Sequence, residues 1–484
     1  MKRFFVFCKE NPVYPLLGIF LIAQLLSLTT PAIISWDGSV YAGMAKYLYS
    51  GGEVGVWETL RPVGFSSILG LFWKLGLDPY ESARFFALAS SLVSLSLVYA
   101  LGNKIRHGAG IYAGYILALT PLFFRFSAIS MTDILSTTFA LGCVYSILIA
   151  KTHRAHLIGG LLAGLAFLFR FPHGLVLVVG GILIFFRIYN SETVGIKHLA
   201  REYIKSMLWY GLGFCVVALP FLLVNTIAYG DPLLPLRAGA GIIAHNPILY
   251  RQHSLFYFSS LLESSYLYLF AMIPVALLFF KKSYRKNLTL LAGVVYVAIY
   301  IAYFSFTEHK EFRYMLAFLP VVAVLAGVGV SAVLSRIRIP WLRYCIAIVV
   351  LLCALYGISG ALREHSVKND VVYEQIGQYF TTYEKEHGTN ARVLSAVPFI
   401  VARSNALIVA TLYDDWRIVL PAYEKYKNEI THVLTDTCTL EIICKFDEGC
   451  TQGKSEFEEK MKSDAILVQA GNVGTCRVML YEVQ

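Results

Sequence analysis

The sequence predicts an all-α polytopic membrane protein. About eleven transmembrane helices, with interfacial helices in the first outer loop, precede a small extracytoplasmic α/β domain. Three observations predict this. Only 15% of the 484 residues are charged and 57% are hydrophobic, whereas an ordinary soluble protein carries about 25% charged residues. Apolar runs of spanning length recur between residues 13 and 362. Basic residues stand in short clusters at alternate ends of those runs, as the positive-inside rule requires. The net charge of +10 therefore reads as membrane orientation. It is not pooled on one face or tail, so no nucleic-acid partner is expected.

The expected spans are 13–34, 82–103, 108–126, 131–150, 157–169, 171–186, 206–229, 257–280, 288–306, 314–334 and 344–362. Met1-Lys2-Arg3 could open a signal peptide. The stretch from Asn11 to Trp36 is uncharged, long enough to span and without a clear cleavage site, so it reads as the first helix. Segments 157–169 and 171–186 are short for two crossings and together long for one. The break between them, Arg170-Phe171-Pro172-His173-Gly174, predicts two tilted crossings that meet at a charged tip.

With a cytoplasmic N-terminus, the inner loops hold Lys104 and Arg106, Lys151 and Arg154, Lys197, Arg201 and Lys205, and Lys281 to Lys286. The outer loops hold Asp37, Glu58, Asp133, Asp231, Glu263, Glu308 and Glu311. An odd number of spans puts the C-terminus outside, and the expected location is the plasma membrane of a prokaryote.

The first outer loop, residues 35–81, is more than a linker. Val40, Tyr41, Met44, Ala45, Tyr47 and Leu48 recur at helical spacing, which predicts an amphipathic helix along the membrane surface. A shorter apolar run, Val63–Leu75, follows Arg61-Pro62. The transmembrane catalytic domain is expected over 1–362 and the soluble domain over 363–484. In the latter, β-rich segments at 391–397, 406–412, 431–435, 465–469 and 476–483 alternate with helical patterns at 370–386 and 415–428. Cys438, Cys444, Cys450 and Cys476 lack zinc-ligand spacing. In an outer domain they predict one or two disulfides, with the pairing open. Asp414-Asp415 reads as a helix N-cap pair.

The residues that could carry chemistry fall at outer helix ends. They are Asp37; Glu58 and Arg61; Asp133; Arg170; and His309-Lys310-Glu311-Phe312-Arg313-Tyr314. Ionisable groups beside a membrane point to function. Arg61, Arg170, Lys310 and Arg313 suit a phosphate at the lipid interface, since Arg offers a planar fork and Lys a point charge. Asp37 suits a general base that takes a proton from an acceptor hydroxyl. Structural readings compete with these: Asp37 and Asp133 as helix caps, Arg170 snorkelling to headgroups, and Glu58 with Arg61 as a surface ion pair.

Three passages resemble the GT-C superfamily of membrane glycosyltransferases over roughly residues 10–335. Asp37 and Tyr41 stand in the first outer loop, where that superfamily keeps its catalytic acid. Trp57-Glu58-Thr59-Leu60-Arg61-Pro62-Val63-Gly64-Phe65 is similar to its "RPPG" or "WE..RS" stretch. His309-Lys310-Glu311-Phe312-Arg313-Tyr314 is similar to the "HKE.RF" signature of dolichyl-phosphate-mannose-dependent mannosyltransferases. Thr132-Asp133 resembles the second acidic position of relatives similar to protein mannosyltransferases and aminoarabinose transferases.

The resemblance implies an inverting transfer of a hexose, with mannose a candidate, from a polyprenyl- or dolichyl-phosphate-linked donor to a glycolipid or protein acceptor. It implies Asp37 and Asp133 as catalytic acids. Arg61, Arg170, His309, Lys310 and Arg313 would bind the donor phosphate, with Tyr41, Glu58 and Glu311 in support. The candidate cofactor is a divalent cation, Mg or Mn. One departure is local: Gly38 follows Asp37, so the adjacent acid pair is missing and Asp133 is the candidate replacement. The alternative reading is a lipid-linked-saccharide flippase or other transporter, but transporters place charge near the midplane and often repeat internally. A third, an assembly partner working through its tail, leaves the outer charges without a use.

Overall fold

The computed structural model describes residues 10–28, 35–191, 195–245, 251–337, 341, 371–413, 415–442, 444 and 447–484. The expected last span, 344–362, and Asp414 lie outside them. The described residues form two compact units. Those before residue 30, residues 59–64 and residues 84–337 make the first; residues 35–58, 65–83 and 371–484 make the second.

The first unit is helical, with Val13–Leu28, Asp133–Ile149, His156–Phe169, Leu175–Ser191, Ile196–Tyr229, Leu288–Phe306 and Leu319–Leu334 among its elements. Three expected spans are interrupted. Pro121 ends the helix Ala109–Ala118 and opens Pro121–Phe126, and Pro320 opens Leu319–Leu334 after a 3-10 segment, Phe312–Ala317. The span expected over 257–280 is a pair, Phe256–Ser264 and Tyr266–Phe280, bent by 114°. Ser265 makes the bend in extended backbone, and its hydroxyl accepts from the Leu267 amide. Among the described residues, 4 helices are long and apolar enough to cross a membrane, or up to 5 with the bent pair. The remaining apolar helices are of 10–17 residues.

The helix Ile196–Tyr229 shows why lipid must be its solvent. Leu208, Leu212, Val216, Leu219, Leu223 and Ile227 form one exposed apolar stripe. Its other side meets His156–Phe169 at glycines. A Cβ on Gly160 would overlap the Tyr210 carbonyl, and one on Gly213 the Leu157 carbonyl. Small residues let the two backbones approach this closely.

The second unit is built on a five-stranded sheet of β1 (Arg392–Ser395), β2 (Leu407–Thr411), β3 (His432–Asp436), β4 (Ala465–Val473) and β5 (Cys476–Val483), in the order β2-β1-β3-β5-β4. β1 is parallel to β2 and β3; β5 is antiparallel to β3 and β4. Alternation sends Val393, Leu434, Val478 and Leu480 to one core, with Tyr373, Ile376 and Phe380 of the helix Val371–His387. Leu394, Val433, Met479 and Tyr481 go to the other, with Trp416, Phe457 and Met461. The helix Glu448–Asp464, which supplies the last two, was not expected from the sequence. Disulfides join Cys438 to Cys476 and Cys444 to Cys450.

The first-loop helix, Trp36–Ser50, belongs to this unit and corrects an expectation. It is not half-exposed like a helix lying on a membrane surface, because every residue from Asp37 to Lys46 is buried. Lys46 donates to the carbonyls of Val401 and Ser404, each at 2.8 Å, at the end of the helix Phe399–Arg403. Burial lowers its pKa to about 8 against the pull of Asp78 and Glu384. Gly55, at φ 94°, then lies along β2. Its amide donates to Ala406 O at 2.9 Å, and its carbonyl accepts from the Ile408 amide at 2.8 Å. The outer edge of the sheet is thereby paired rather than open.

His432 opens β3 fully buried, hydrogen-bonded to the Tyr379 hydroxyl at 3.0 Å and the Thr431 hydroxyl at 2.7 Å. Burial first, and then the charge of His387, lower its pKa from 6.5 to about 4. The unfolded chain therefore binds the proton that the folded one refuses. The stability of this unit should be full above pH 6.5 and fall as the pH drops towards 4. Thermal unfolding across that range should show a smaller fall in His432→Gln; an identical fall would exclude this residue as the cause.

Candidate functional site

In the first unit, the candidate residues meet at the tip between two short helices. Helix His156–Phe169 ends at Arg170, whose backbone is extended at φ −158° and runs into a 3-10 turn, Phe171–Gly174. Pro172 favours that turn. The Arg170 guanidinium reaches Asp133 at 3.0 Å, with the two side chains only 15% and 4% exposed. Asp133 is the first residue of its helix, and Thr132 holds the N-cap position. The Asp133 carboxylate is thus committed to a cross-helix ion pair, and Arg170 to a buried carboxylate rather than to snorkelling. Each charge makes the other tolerable at this depth.

The 309–314 segment adds a second pair. Glu311 receives Arg313 on both oxygens, at 2.8 Å and 2.7 Å, and His309 at 2.8 Å. Tyr314 stands between the pairs, with the Arg170 guanidinium 5.4 Å from its ring centre and that of Arg313 5.8 Å away. Its ring also stacks on Phe304 and His309, at 5.1 Å and 5.8 Å. An aromatic face beside two cations stabilises each by about 0.5–2 kcal/mol. Arg313 also reaches the Met131 sulfur at 3.7 Å, two residues before Asp133.

Lys310 is directed elsewhere. Its ammonium donates to the Thr307 carbonyl at 2.7 Å, closing its own loop. Arg61 lies in the same unit, half-buried. Its neighbour Val63 packs on the cluster of Phe167, Ala218 and Phe221, which Phe171 of the tip also joins.

The second unit holds the other candidates. Ser35, not Asp37, caps the helix Trp36–Ser50, its hydroxyl accepting from the Gly38 amide at 3.2 Å. Asp37 is buried in the first turn, where the helix dipole favours a carboxylate. Tyr41 packs edge-on against Phe65 at 5.7 Å, and its carbonyl accepts from the Ser66 hydroxyl. Glu58 is buried and accepts from the Tyr413 hydroxyl at 2.8 Å. Lys46 and Tyr413 are the structurally committed residues that sequence reasoning missed. A lysine within the apolar run Val40–Leu48 was the available signal for the first; nothing in the sequence singled out the second.

Among the described residues, three candidate donor atoms converge only at Asp415, Cys444 and Cys450 and at Asp436, Cys438 and Cys476. In both sets the cysteines are disulfide-bonded. Asp415 instead caps a 3-10 turn, accepting from the Arg417 amide at 2.8 Å, and so fills the capping role expected there.

This helical architecture has known counterparts. Residues 61–224 match the family model for dolichyl-phosphate-mannose-protein mannosyltransferases. The archaeal oligosaccharyltransferase AglB from Archaeoglobus fulgidus, in complex with an inhibitory peptide and a dolichol-phosphate, superposes with a TM-score of 0.60 at 12% identity. That match covers 91% of this chain and 71% of AglB. Apo ArnT from Cupriavidus metallidurans matches over 98% of both chains, with a TM-score of 0.59 at 12% identity. The chain shares the fold of AglB and ArnT. ArnT bound to undecaprenyl phosphate is similar over 81% of this chain and 74% of its own, with a TM-score of 0.54 at 13% identity. No curated protein sequence matches the chain.

The Asp133–Arg170 pair gives a stability prediction. Arg170→Met should destabilise the protein by about 3–5 kcal/mol, because it strands a buried carboxylate. Asp133→Asn combined with Arg170→Met should recover part of that loss. Denaturant unfolding in detergent of both singles and the double checks it, and strictly additive losses would count against the pairing.

Proposed function

We propose that the chain transfers a hexose from a polyprenyl- or dolichyl-phosphate-linked donor to a glycolipid or protein acceptor on the outer face of the membrane. The observation that carries the proposal is the half-buried cluster in which Arg170 and Arg313 flank Tyr314, each already paired with a carboxylate. Two guanidiniums held this way keep their planar forks in fixed orientation, which suits an incoming phosphate. The GT-C fold and the family match over 61–224 support the reaction class. The phosphate-bound states of ArnT and AglB support the lipid-linked donor. Mannose is the candidate sugar, from the description of the matched family.

The chemistry follows from these roles. The acceptor hydroxyl attacks the anomeric carbon from the face opposite the phosphate. Its oxygen forms the new bond, its proton passes to the Asp37 carboxylate, and the sugar–phosphate bond breaks with its electrons on the phosphate. Charge on that leaving oxygen grows in an oxocarbenium-like transition state, and Arg170 and Arg313 stabilise it, with Arg61 and His309 in the same electrostatic role. Asp133 and Glu311 hold the arginines in place, and Tyr41 and Glu58 support the Asp37 loop. One transfer in a single displacement inverts the anomeric centre.

Protein reconstituted in lipid with a radiolabelled polyprenyl-phosphate hexose should transfer the sugar or slowly hydrolyse the donor. Asp37→Asn should abolish turnover and retain donor binding, whereas Arg313→Ala should weaken donor binding. Near-normal turnover in Asp37→Asn would remove Asp37 as the base. Transbilayer movement of the donor without any turnover would favour a flippase instead.

A further inference from the structure

The second unit joins residues that are 355 positions apart, and one side chain makes the join at two points. The Tyr413 hydroxyl donates to Glu58 Oε1 at 2.8 Å. The Tyr413 ring lies 5.5 Å from the ring of Trp36, and Phe399 closes on Trp36 from another side, edge-on at 5.7 Å. Trp36 opens the helix whose next residue is Asp37. Tyr413 therefore touches the residue before the candidate base and also holds the carboxylate of Trp57-Glu58-Thr59. Lys46 and Gly55 attach the same loop to the Phe399–Arg403 helix and to β2.

We infer that Tyr413 is a positioning residue. From the C-terminal domain it fixes the start of the Asp37 helix through its ring and the Glu58 carboxylate through its hydroxyl. The domain is then a working part of the site rather than an appendage. The inference rests on the reading above, in which Asp37 and Glu58 serve the transfer. Two attachments on one rigid ring define a position better than either alone, and a misplacement of about 1 Å from a remote change can cost roughly a hundredfold in rate.

Tyr413→Phe tests this, since it keeps the ring and removes the hydroxyl. In the full chain in lipid, with a polyprenyl-phosphate hexose as donor, kcat should fall by about tenfold or more while KM for the donor stays within about twofold, the pattern of misplaced chemistry rather than lost binding. The thermal midpoint should move little. Glu58→Gln should lower kcat similarly, and the double variant should be no slower than the slower single. Wild-type kcat in Tyr413→Phe, or a double variant whose loss is the product of the two singles, would overturn the inference. If the wild-type protein turns over no lipid-linked sugar, the functional reading fails by itself. Amide exchange then decides the inference: faster exchange over 36–58 in Tyr413→Phe, with 371–387 unchanged, upholds the positioning contact, and unchanged exchange over 36–58 overturns it.

Discussion

Ionised groups at the ends of apolar helices are tolerable only when each has a partner in place, and that requirement organises the first unit. Asp133 and Arg170 come from different helices, and the backbone between Phe169 and Leu175 takes the shape that lets them meet. The extended Arg170, the 3-10 turn through Pro172 and the restart of the helix at Leu175 together bring one guanidinium to one carboxylate. Tyr314 then lets a second arginine stand nearby, because its ring presents negative potential to both. A cluster of this kind is costly to assemble around nothing.

The second unit answers the same requirement with backbone rather than with opposite charge. Lys46 finds two carbonyls at the end of a short helix, where the dipole and the unsatisfied oxygens both favour a cation. Gly55 completes the edge of a sheet that would otherwise expose unpaired amides. The segment over 35–58 and the C-terminal sheet thus share one core, as the place of Val56 beside Ile376 and Val401 shows.

Much of this was legible beforehand, for reasons that differ by element. Strands β1 to β5 were visible because β-branched and apolar residues alternate between turn residues, and the two faces of the sheet read out that alternation directly. The tip at Arg170 was visible because a Pro-containing break with charge cannot continue a helix. The charged residues at 133, 170 and 309–314 stood out in the sequence at the ends of apolar runs, and the structure brings them together. What stayed hidden depends on distant partners. The burial of the Asp37 helix is completed by residues from 399 onward, so a local amphipathic pattern read as a membrane surface. Lys310 carries the same charge as Arg313, yet it turns back to the Thr307 carbonyl. The bend at Ser265 comes from one extended residue inside an otherwise spanning run.

The long interval between Glu58 and Tyr413 has a consequence for how the chain is made. At a synthesis rate of about 5–20 residues per second, the loop emerges roughly 20–70 seconds before its partner. During that time Asp37 and Lys46 are without the shelter they have in the finished protein, and the strand edge that Gly55 completes does not yet exist. The earliest part of the second unit to be synthesised is among the last to be finished.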